Sequence, residues 1–134
     1  MLLTAMRVAH NPGFDRVVFE FSPTDRGVGS YGVPPFRIEV ADAFSGPSGL
    51  PVTVAGNAHF RVVFQNTDAH TNAGQSTLAS SDLTPSTPLA KEVKIVEDFE
   101  ATVQAGIGLD HLVCPSVLTL SGPVRVVFDF PTPP

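Results

Sequence analysis

The tetrapeptide Arg-Val-Val-Phe occurs three times in this 134-residue chain, at positions 16–19, 61–64 and 125–128. An acidic residue and a phenylalanine follow the first and the third copy. Valine loses side-chain rotamer freedom in a helix, whereas both valine and phenylalanine pack well on the pleated surface of a sheet. The repeat therefore predicts a mostly β protein with buried strands at all three positions.

The composition agrees with short strands joined by frequent turns. Hydrophobic residues make up 43% of the chain, and 13 prolines and 11 glycines disfavour long helices. A chain of this length forms one domain and buries roughly two thirds of the surface that it exposes when unfolded. We predict a single domain over residues 1–134, folded as a two-sheet, mainly antiparallel β-sandwich of about nine short strands. The predicted strands are 2–9, 15–21, 36–40, 51–54, 58–65, 90–96, 99–105, 115–120 and 124–130, the last two forming a hairpin.

The repeat also predicts a register between its first and third copies. Residues two apart on a strand share a face, so antiparallel pairing in matching register would place Arg16 opposite Asp129 and Glu20 opposite Arg125. We therefore favour a structural role for Arg16 and Arg125. Arg61 is the better candidate for ligand binding, because the fourth residue after it is a glutamine and not an acid. The apolar positions expected in the core are Val17, Phe19, Val62, Phe64, Val126 and Phe128.

Charge and hydropathy limit the partners of the chain. The formal net charge is −5, which repels phosphate backbones, so a nucleic acid is not an expected partner. No apolar run is long enough to span a bilayer, so we expect no transmembrane segment. The single cysteine, Cys114, follows Val113 in an apolar stretch and is expected to be buried and inert.

Two connections are longer or richer in glycine than a turn requires. The segment 26–35 surrounds the only tyrosine, Tyr31, and contains Gly-x-Gly, but no strand-to-helix pattern follows that would indicate a phosphate site. The segment 66–88 is polar and free of lysine and arginine. Connections of that length are usually disordered or functional, and we favour mobility here.

No residue cluster in the sequence indicates a reaction or a cofactor. Asp68 and His70 could place two metal ligands on one face of an extended segment, but no third partner stands nearby, so no metal is predicted. Asp98 and Glu100 have the spacing of paired catalytic carboxylates, yet solvated acids at a strand end explain them better. We expect no catalytic residue and no cofactor.

A family resemblance adds to this interpretation. The segment 13–21, Gly-Phe-Asp-Arg-Val-Val-Phe-Glu-Phe, resembles the signature of the actinobacterial AMIN-like family of secreted proteins and lipoproteins. Further segments that occur in the family's order are 49–52 (Gly-Leu-Pro-Val), 54–56 (Val-Ala-Gly), 98–100 (Asp-Phe-Glu), 106–110 (Gly-Ile-Gly-Leu-Asp) and 123–129 (Pro-Val-Arg-Val-Val-Phe-Asp). The resemblance implies a β-sandwich related to AMIN domains, which occur in cell-envelope proteins and are associated with targeting and peptidoglycan attachment. It also implies an extracytoplasmic location, secreted or lipid-anchored at the cell surface, with the export signal missing from this sequence.

These observations leave two function classes open. The leading hypothesis is a non-catalytic module that binds cell-wall glycan or peptide and so localises its protein, with Arg61, Tyr31, Arg16 and Arg125 as candidate ligand-binding residues. The alternative is a protein-protein interaction module of the cell envelope, which would dock another protein or a second copy through a sheet edge or long loops. A hydrolase with widely separated catalytic residues ranks third. An arginine without an acidic partner that lines a groove would favour the first class, and an unpaired edge strand would favour the second.

Overall fold

The computed structural model describes residues 1–24 and 32–134. Over these residues the chain forms strands and no helix. The strands are β1 (Leu2–Asn11), β2 (Phe14–Ser22), β3 (Phe36–Val40), β4 (Phe44–Ser45), β5 (Pro51–Val52), β6 (Ala58–Gln65), β7 (Asp82–Leu83), β8 (Ala90–Phe99), β9 (Thr102–Leu109), β10 (Ser116–Leu120) and β11 (Val124–Pro131). All nine predicted strands are present, and the two-residue strands β4 and β7 are additional.

The strands form two main antiparallel sheets and one small hairpin. The four-stranded sheet has the order β1-β2-β11-β10, and the five-stranded sheet has the order β3-β6-β9-β8-β7. The hairpin consists of β4 and β5. The predicted antiparallel β-sandwich and its closing β10-β11 hairpin are therefore confirmed.

The core lies between the two main sheets. Phenylalanines from both sheets meet there, and the ring centroids of Phe19 on β2 and Phe64 on β6 are 5.0 Å apart. Strand β2 alternates buried and half-buried residues along its length, which is the pattern of a strand with one face in a core. The six residues predicted to be buried are all confirmed: Val17, Phe19, Val62, Phe64, Val126 and Phe128.

A buried carboxylate joins the two sheets at one end. Asp15 of β2 is fully buried, and its Oδ2 accepts backbone N–H bonds from Leu89 at 2.8 Å and Ala90 at 2.9 Å. Its Oδ1 lies 2.7 Å from Nδ1 of His10. A carboxylate buried with this many partners is well compensated, so Asp15 connects β2 to the start of β8.

The segment 66–88 is attached to the sandwich, in contrast to the mobility expected from its composition. Thr67, Ala69 and Leu78 are buried. The hydroxyl of Thr77 donates to the carbonyl of Leu3 at 2.6 Å, and β7 pairs with β8. Composition does not show these contacts because β1, which receives them, precedes the segment by more than 50 residues.

Two further expectations are corrected or lie outside the described residues. Cys114 is exposed and not buried, because its neighbour Val113 takes the position that packs against the core. Tyr31 and positions 26–30 of the glycine-rich segment lie outside the described residues. In the described part of the chain, no helix has the length and hydropathy needed to cross a bilayer.

Candidate ligand-binding face

The outer face of the four-stranded sheet carries charged residues in adjacent rows. We name it the arginine face and define it by Arg7, Arg16, Glu20, Arg125 and Asp129. Strands β1, β2 and β11 place these side chains on the side away from the core, because core residues such as Met6, Phe19 and Phe128 occupy the alternate positions. Val127 of β11 shares this outer face and is nevertheless buried. The predicted register is confirmed, since Arg16 pairs with Asp129 and Glu20 pairs with Arg125 across β2 and β11.

Arg16 has the structural role predicted for it. Its Nε and Nη2 donate to the two carboxylate oxygens of Asp129 at 2.8 and 3.0 Å. This bidentate bond raises the pKa of Arg16 above its usual value, with a smaller contribution from the charge of Asp129. Both nitrogens are thus engaged, which leaves Arg16 little capacity for a ligand.

Arg125 differs from the prediction, which gave it an acidic partner. Glu20 lies opposite Arg125 in the register, but its Oε1 accepts a bond from Nη2 of Arg7 on the other neighbouring strand, at 2.9 Å. Nε of Arg125 donates to the carbonyl of Pro123 at 3.1 Å. Within the described residues, no acidic oxygen lies within the 4.0 Å salt-bridge distance of Arg125. The half-buried Arg125 is therefore the arginine of this face that is available to an anion.

Arg61 lies on the opposite side of the molecule, on the outer face of the five-stranded sheet. Its Nη2 donates to the carbonyl of Ala43 at 2.7 Å, and its guanidinium lies over the ring of Phe44, 5.3 Å from the centroid. Nη1 is 3.7 Å from a carboxylate oxygen of Glu39. These contacts attach Arg61 to the β4-β5 hairpin. We therefore favour Arg125 over Arg61 as the candidate ligand-binding residue.

The two acids at the end of β8 separate in the structure. Asp98 accepts hydrogen bonds from the backbone N–H of Ala69 and from His70, whereas Glu100 is exposed in a turn with φ 52°. The solvated position expected for both acids therefore holds for Glu100 and is wrong for Asp98. The partners of Asp98 precede it by 28 residues or more, and no local spacing in the sequence signals them.

The arginine face offers binding chemistry. A guanidinium presents planar donors that match a carboxylate or a phosphate, and it supplies no nucleophile or general base. On the same outer face as Arg125, the neighbouring strand β10 exposes the apolar side chain of Leu118, which lies opposite Val127 in the register. A ligand with an anionic group and some apolar surface would satisfy both parts of this surface.

Comparison with known families gives one match over nearly the whole chain. The AMIN-like domain matches residues 1–132. The chain belongs to the AMIN-like domain family. Its membership suggests a cell-envelope, peptidoglycan-associated module, and AMIN-like domains are generally non-catalytic binding modules. No curated protein and no solved structure matched this AMIN-like domain.

One functional residue of the arginine face escaped the sequence analysis. Arg7 of β1 donates a hydrogen bond to the carboxylate of Glu20. Because Glu20 is engaged by Arg7, Arg125 has no acidic partner among the described residues. The tetrapeptide repeat drew attention to β2 and β11 because they share a motif, whereas β1 does not carry it. The signal that could have found Arg7 is its position on the exposed face of an apolar strand.

Proposed function

We propose that this AMIN-like domain is a non-catalytic module that binds peptidoglycan at the cell envelope and so localises the protein that carries it. The binding surface in this proposal is the arginine face, with Arg125 as its principal contact. The location would be extracytoplasmic, in a secreted or lipid-anchored protein. The observation that carries the proposal is the guanidinium of Arg125, which has no acidic partner in the described chain and stands on a domain of a peptidoglycan-associated family.

Peptidoglycan supplies the chemistry that such a surface recognises. Its peptide stems end in carboxylates, and a guanidinium binds a carboxylate through parallel charge-assisted hydrogen bonds. The apolar side chain of Leu118, which shares the face of Arg125, can cover the aliphatic parts of a stem. Because the chain as a whole is negative, a local and oriented contact is needed, and the summed field of the protein opposes an anionic ligand.

The test is sedimentation of the purified domain with purified cell-wall sacculi. We expect the wild-type protein to sediment with the wall and Arg125→Ala to bind at least about tenfold more weakly, given the 1.5–3 kcal/mol of a charged hydrogen bond. Arg37→Ala is the matched control, since Arg37 is an exposed arginine on the other sheet. Arg61→Ala tests the preference derived from the sequence.

The outcomes separate the candidates. Binding of the Arg37→Ala and Arg61→Ala proteins at wild-type strength, with weak binding of Arg125→Ala, supports the arginine face. Full binding by Arg125→Ala would exclude the arginine face as the binding surface. Absence of binding by the wild-type protein would exclude the proposed function. The affinity of the wild-type protein should fall as salt is added, and that of Arg125→Ala should respond less, because a screened charge contact has been lost.

A second function is favoured by the edge strand β10. Among the described residues, no strand pairs with β10 on the side away from β11, and its five residues contain no charge and no proline. The other edges are protected: β1 has a bulge between Leu3 and Ala5, β3 carries Arg37 and Glu39, and β7 has only two residues. Unprotected edges of this kind accept a strand from another chain.

We propose that the occupant of this edge is β10 of a second copy. Antiparallel pairing centred on Leu118 would place Leu118 opposite its own copy and Val117 opposite Thr119, with no like charges facing each other. The test is sedimentation velocity over a range of protein concentrations, with reductant present because Cys114 is exposed. We expect Leu118→Lys to abolish the dimer, since it sets two lysines opposite each other, and the exposed Leu50→Lys control to keep it. A monomer at all concentrations, or a dimer of Leu118→Lys, would exclude this pairing.

A further inference from the structure

A histidine and two carboxylates that the sequence separates come together beside the segment 66–88. Asp68 and His70 lie in this segment, and Asp98 lies near the end of β8. One ligand atom from each of these residues lies within 4.8 Å of the others. The sequence predicted no metal because Asp68 and His70 had no third partner nearby, and Asp98 is that partner.

Hydrogen bonds orient the imidazole of His70. Its Nδ1 is 2.8 Å from Oδ2 of Asp98, and the other oxygen of Asp98 accepts the backbone N–H of Ala69 at 3.1 Å. An ionised carboxylate can only accept, so Nδ1 carries the hydrogen in this contact. In the neutral imidazole, Nε2 then presents its lone pair, and Oδ1 of Asp68 stands 3.9 Å from it. A carboxylate that holds the far nitrogen of a histidine is the usual support of a metal-binding imidazole.

The distance between the two free ligand atoms suits a small divalent ion. Two ligands about 2.05 Å from a tetrahedral zinc ion are about 3.3 Å apart, so a combined movement of about 0.6 Å would bring Nε2 of His70 and Oδ1 of Asp68 into position. Both side chains are partly exposed, at 39% for His70 and 26% for Asp68, and can make this movement without disturbing the core.

The surroundings hold the residues in place and leave room for water ligands. The carbonyl of Asp68 accepts the N–H of Leu3 at 2.9 Å, and His70 forms an antiparallel bridge with Ser76. A cleft of about 210 Å³ adjoins His70 and Asp98. His70 and Asp68 are themselves partly exposed, so water can reach an ion held between them.

We propose that Asp68, His70 and Asp98 form a binding site for a divalent transition-metal ion of the zinc class. In this site Nε2 of His70 and the carboxylate of Asp68 bind the ion, and Asp98 positions His70. An imidazole ligand selects zinc, nickel or copper over magnesium and calcium, which prefer oxygen. Both ligands belong to the segment 66–88, and the hydrogen bond from His70 to Asp98 of β8 connects them to the five-stranded sheet. The inference does not depend on peptidoglycan binding, since the arginine face lies on the other sheet.

The test is isothermal titration of the untagged domain with zinc chloride, supported by cobalt absorption spectra. All proteins carry Cys114→Ser, because the exposed thiol is itself a metal ligand. We expect one zinc ion per chain, a rise in melting temperature with zinc, and no heat with magnesium chloride. Asp98→Asn should weaken zinc binding by about 10–100-fold, as loss of a supporting carboxylate does.

The decisive comparison is between two histidines. His70→Ala should weaken zinc binding at least about tenfold. Loss of a supporting carboxylate already costs that much, and loss of the ligand itself should cost no less. His111→Ala should keep wild-type affinity, although His111 is also an exposed histidine 3.1 Å from an aspartate. If His70→Ala melts below the assay temperature, His70→Gln replaces it, because the amide can still donate to Asp98. Zinc affinity unchanged by either His70 variant, or no zinc binding by the Cys114→Ser protein, would overturn the proposal and leave a histidine held between two carboxylates.

Discussion

The two outer faces of the sandwich carry the same tetrapeptide in opposite surroundings. On the five-stranded sheet, the β4-β5 hairpin covers the outer face, and Arg61 is fixed by Ala43 and Phe44. On the four-stranded sheet, Arg16 and Arg125 stand on the arginine face, and of these two only Arg16 has an acidic partner among the described residues. The role of each arginine therefore depends on which segment returns over its strand, and not on the motif that contains it.

The covered face is built for close approach of the backbone. At Gly108 of β9, an added Cβ would lie 1.6 Å from the carbonyl oxygen of Ala55, and at Gly106 it would lie 2.8 Å from Val54. A second small core of Ala41, Phe44, Val54 and Val96 fills the space between the hairpin and the sheet. The absence of side chains on β9 thus allows the hairpin to cover the sheet.

The largest loss of stability is expected when a side chain is added at Gly108, where β9 approaches the backbone of Ala55. Gly108→Ala should lower the free energy of unfolding by about 3 kcal/mol, since the new methyl group cannot avoid the backbone of Ala55. Gly46→Ala is the control within the hairpin region, because an added Cβ there meets its nearest atoms at an ordinary 3.7 Å. Urea unfolding measures both variants. Equal stability of the two would show that Ala55 does not lie against β9 at Gly108.

The second effect compares arginines from the two faces. Arg61→Ala should cost about 2 kcal/mol, because it removes a charged hydrogen bond and a cation-π contact. Arg125→Ala should change the stability by no more than about 0.5 kcal/mol, as surface substitutions usually do. The same urea titration measures this difference. A larger loss for Arg125→Ala would mean that the arginine face has a structural role that its contacts do not indicate.

A third prediction concerns pH and the covered face. Burial, followed by the neighbouring Asp82, raises the pKa of Glu92, whose Oε1 accepts the N–H of Ala55 at 2.7 Å. The folded protein thus holds this proton more tightly than the unfolded chain. The stability that the group contributes is full below its usual pKa of 4.5 and is lost as pH rises through the raised value.

Glu92→Gln keeps the acceptor for Ala55 and cannot ionise. Its stability relative to the wild-type protein should therefore increase as pH rises through this window and then become constant. Thermal unfolding at a series of pH values measures the difference, with the exposed Glu100→Gln as the control. A wild-type protein that gains stability over Glu92→Gln with rising pH would contradict the assigned direction.

The smallest effect on stability is expected on the arginine face. A double-mutant cycle of Arg16→Ala and Asp129→Ala should give a coupling energy of about 0.5–1 kcal/mol, because both side chains are partly exposed and the bond is bidentate. The pair of Arg7 and Glu20, with Arg7 51% exposed, should couple less strongly. Both couplings should decrease in high salt. Equal couplings would show that bidentate geometry contributes nothing on this face.

Much of the fold follows from the sequence alone. The alternation of β2 and the matching charges of β11 predicted their antiparallel register, because a shift of one residue would turn Phe19 and Phe128 away from the core. The hairpin of β10 and β11 follows from the turn residues between them. These features depend on the residues within each strand, where periodicity and repeated charges carry the information, or on a short turn between consecutive strands.

The site contacts required the tertiary structure. Glu20 has a strand on each side and binds Arg7, although the register also places Arg125 opposite it. Asp15 accepts bonds from amides 74 and 75 residues away, and Asp98 meets a histidine 28 residues before it. Local pattern specifies which face of a strand is buried, but the partner of a polar side chain depends on which segments the packed core brings beside it. For this reason the sequence predicted the strands of this AMIN-like domain, but not the clustered histidine or the arginine that lacks an acidic partner among the described residues.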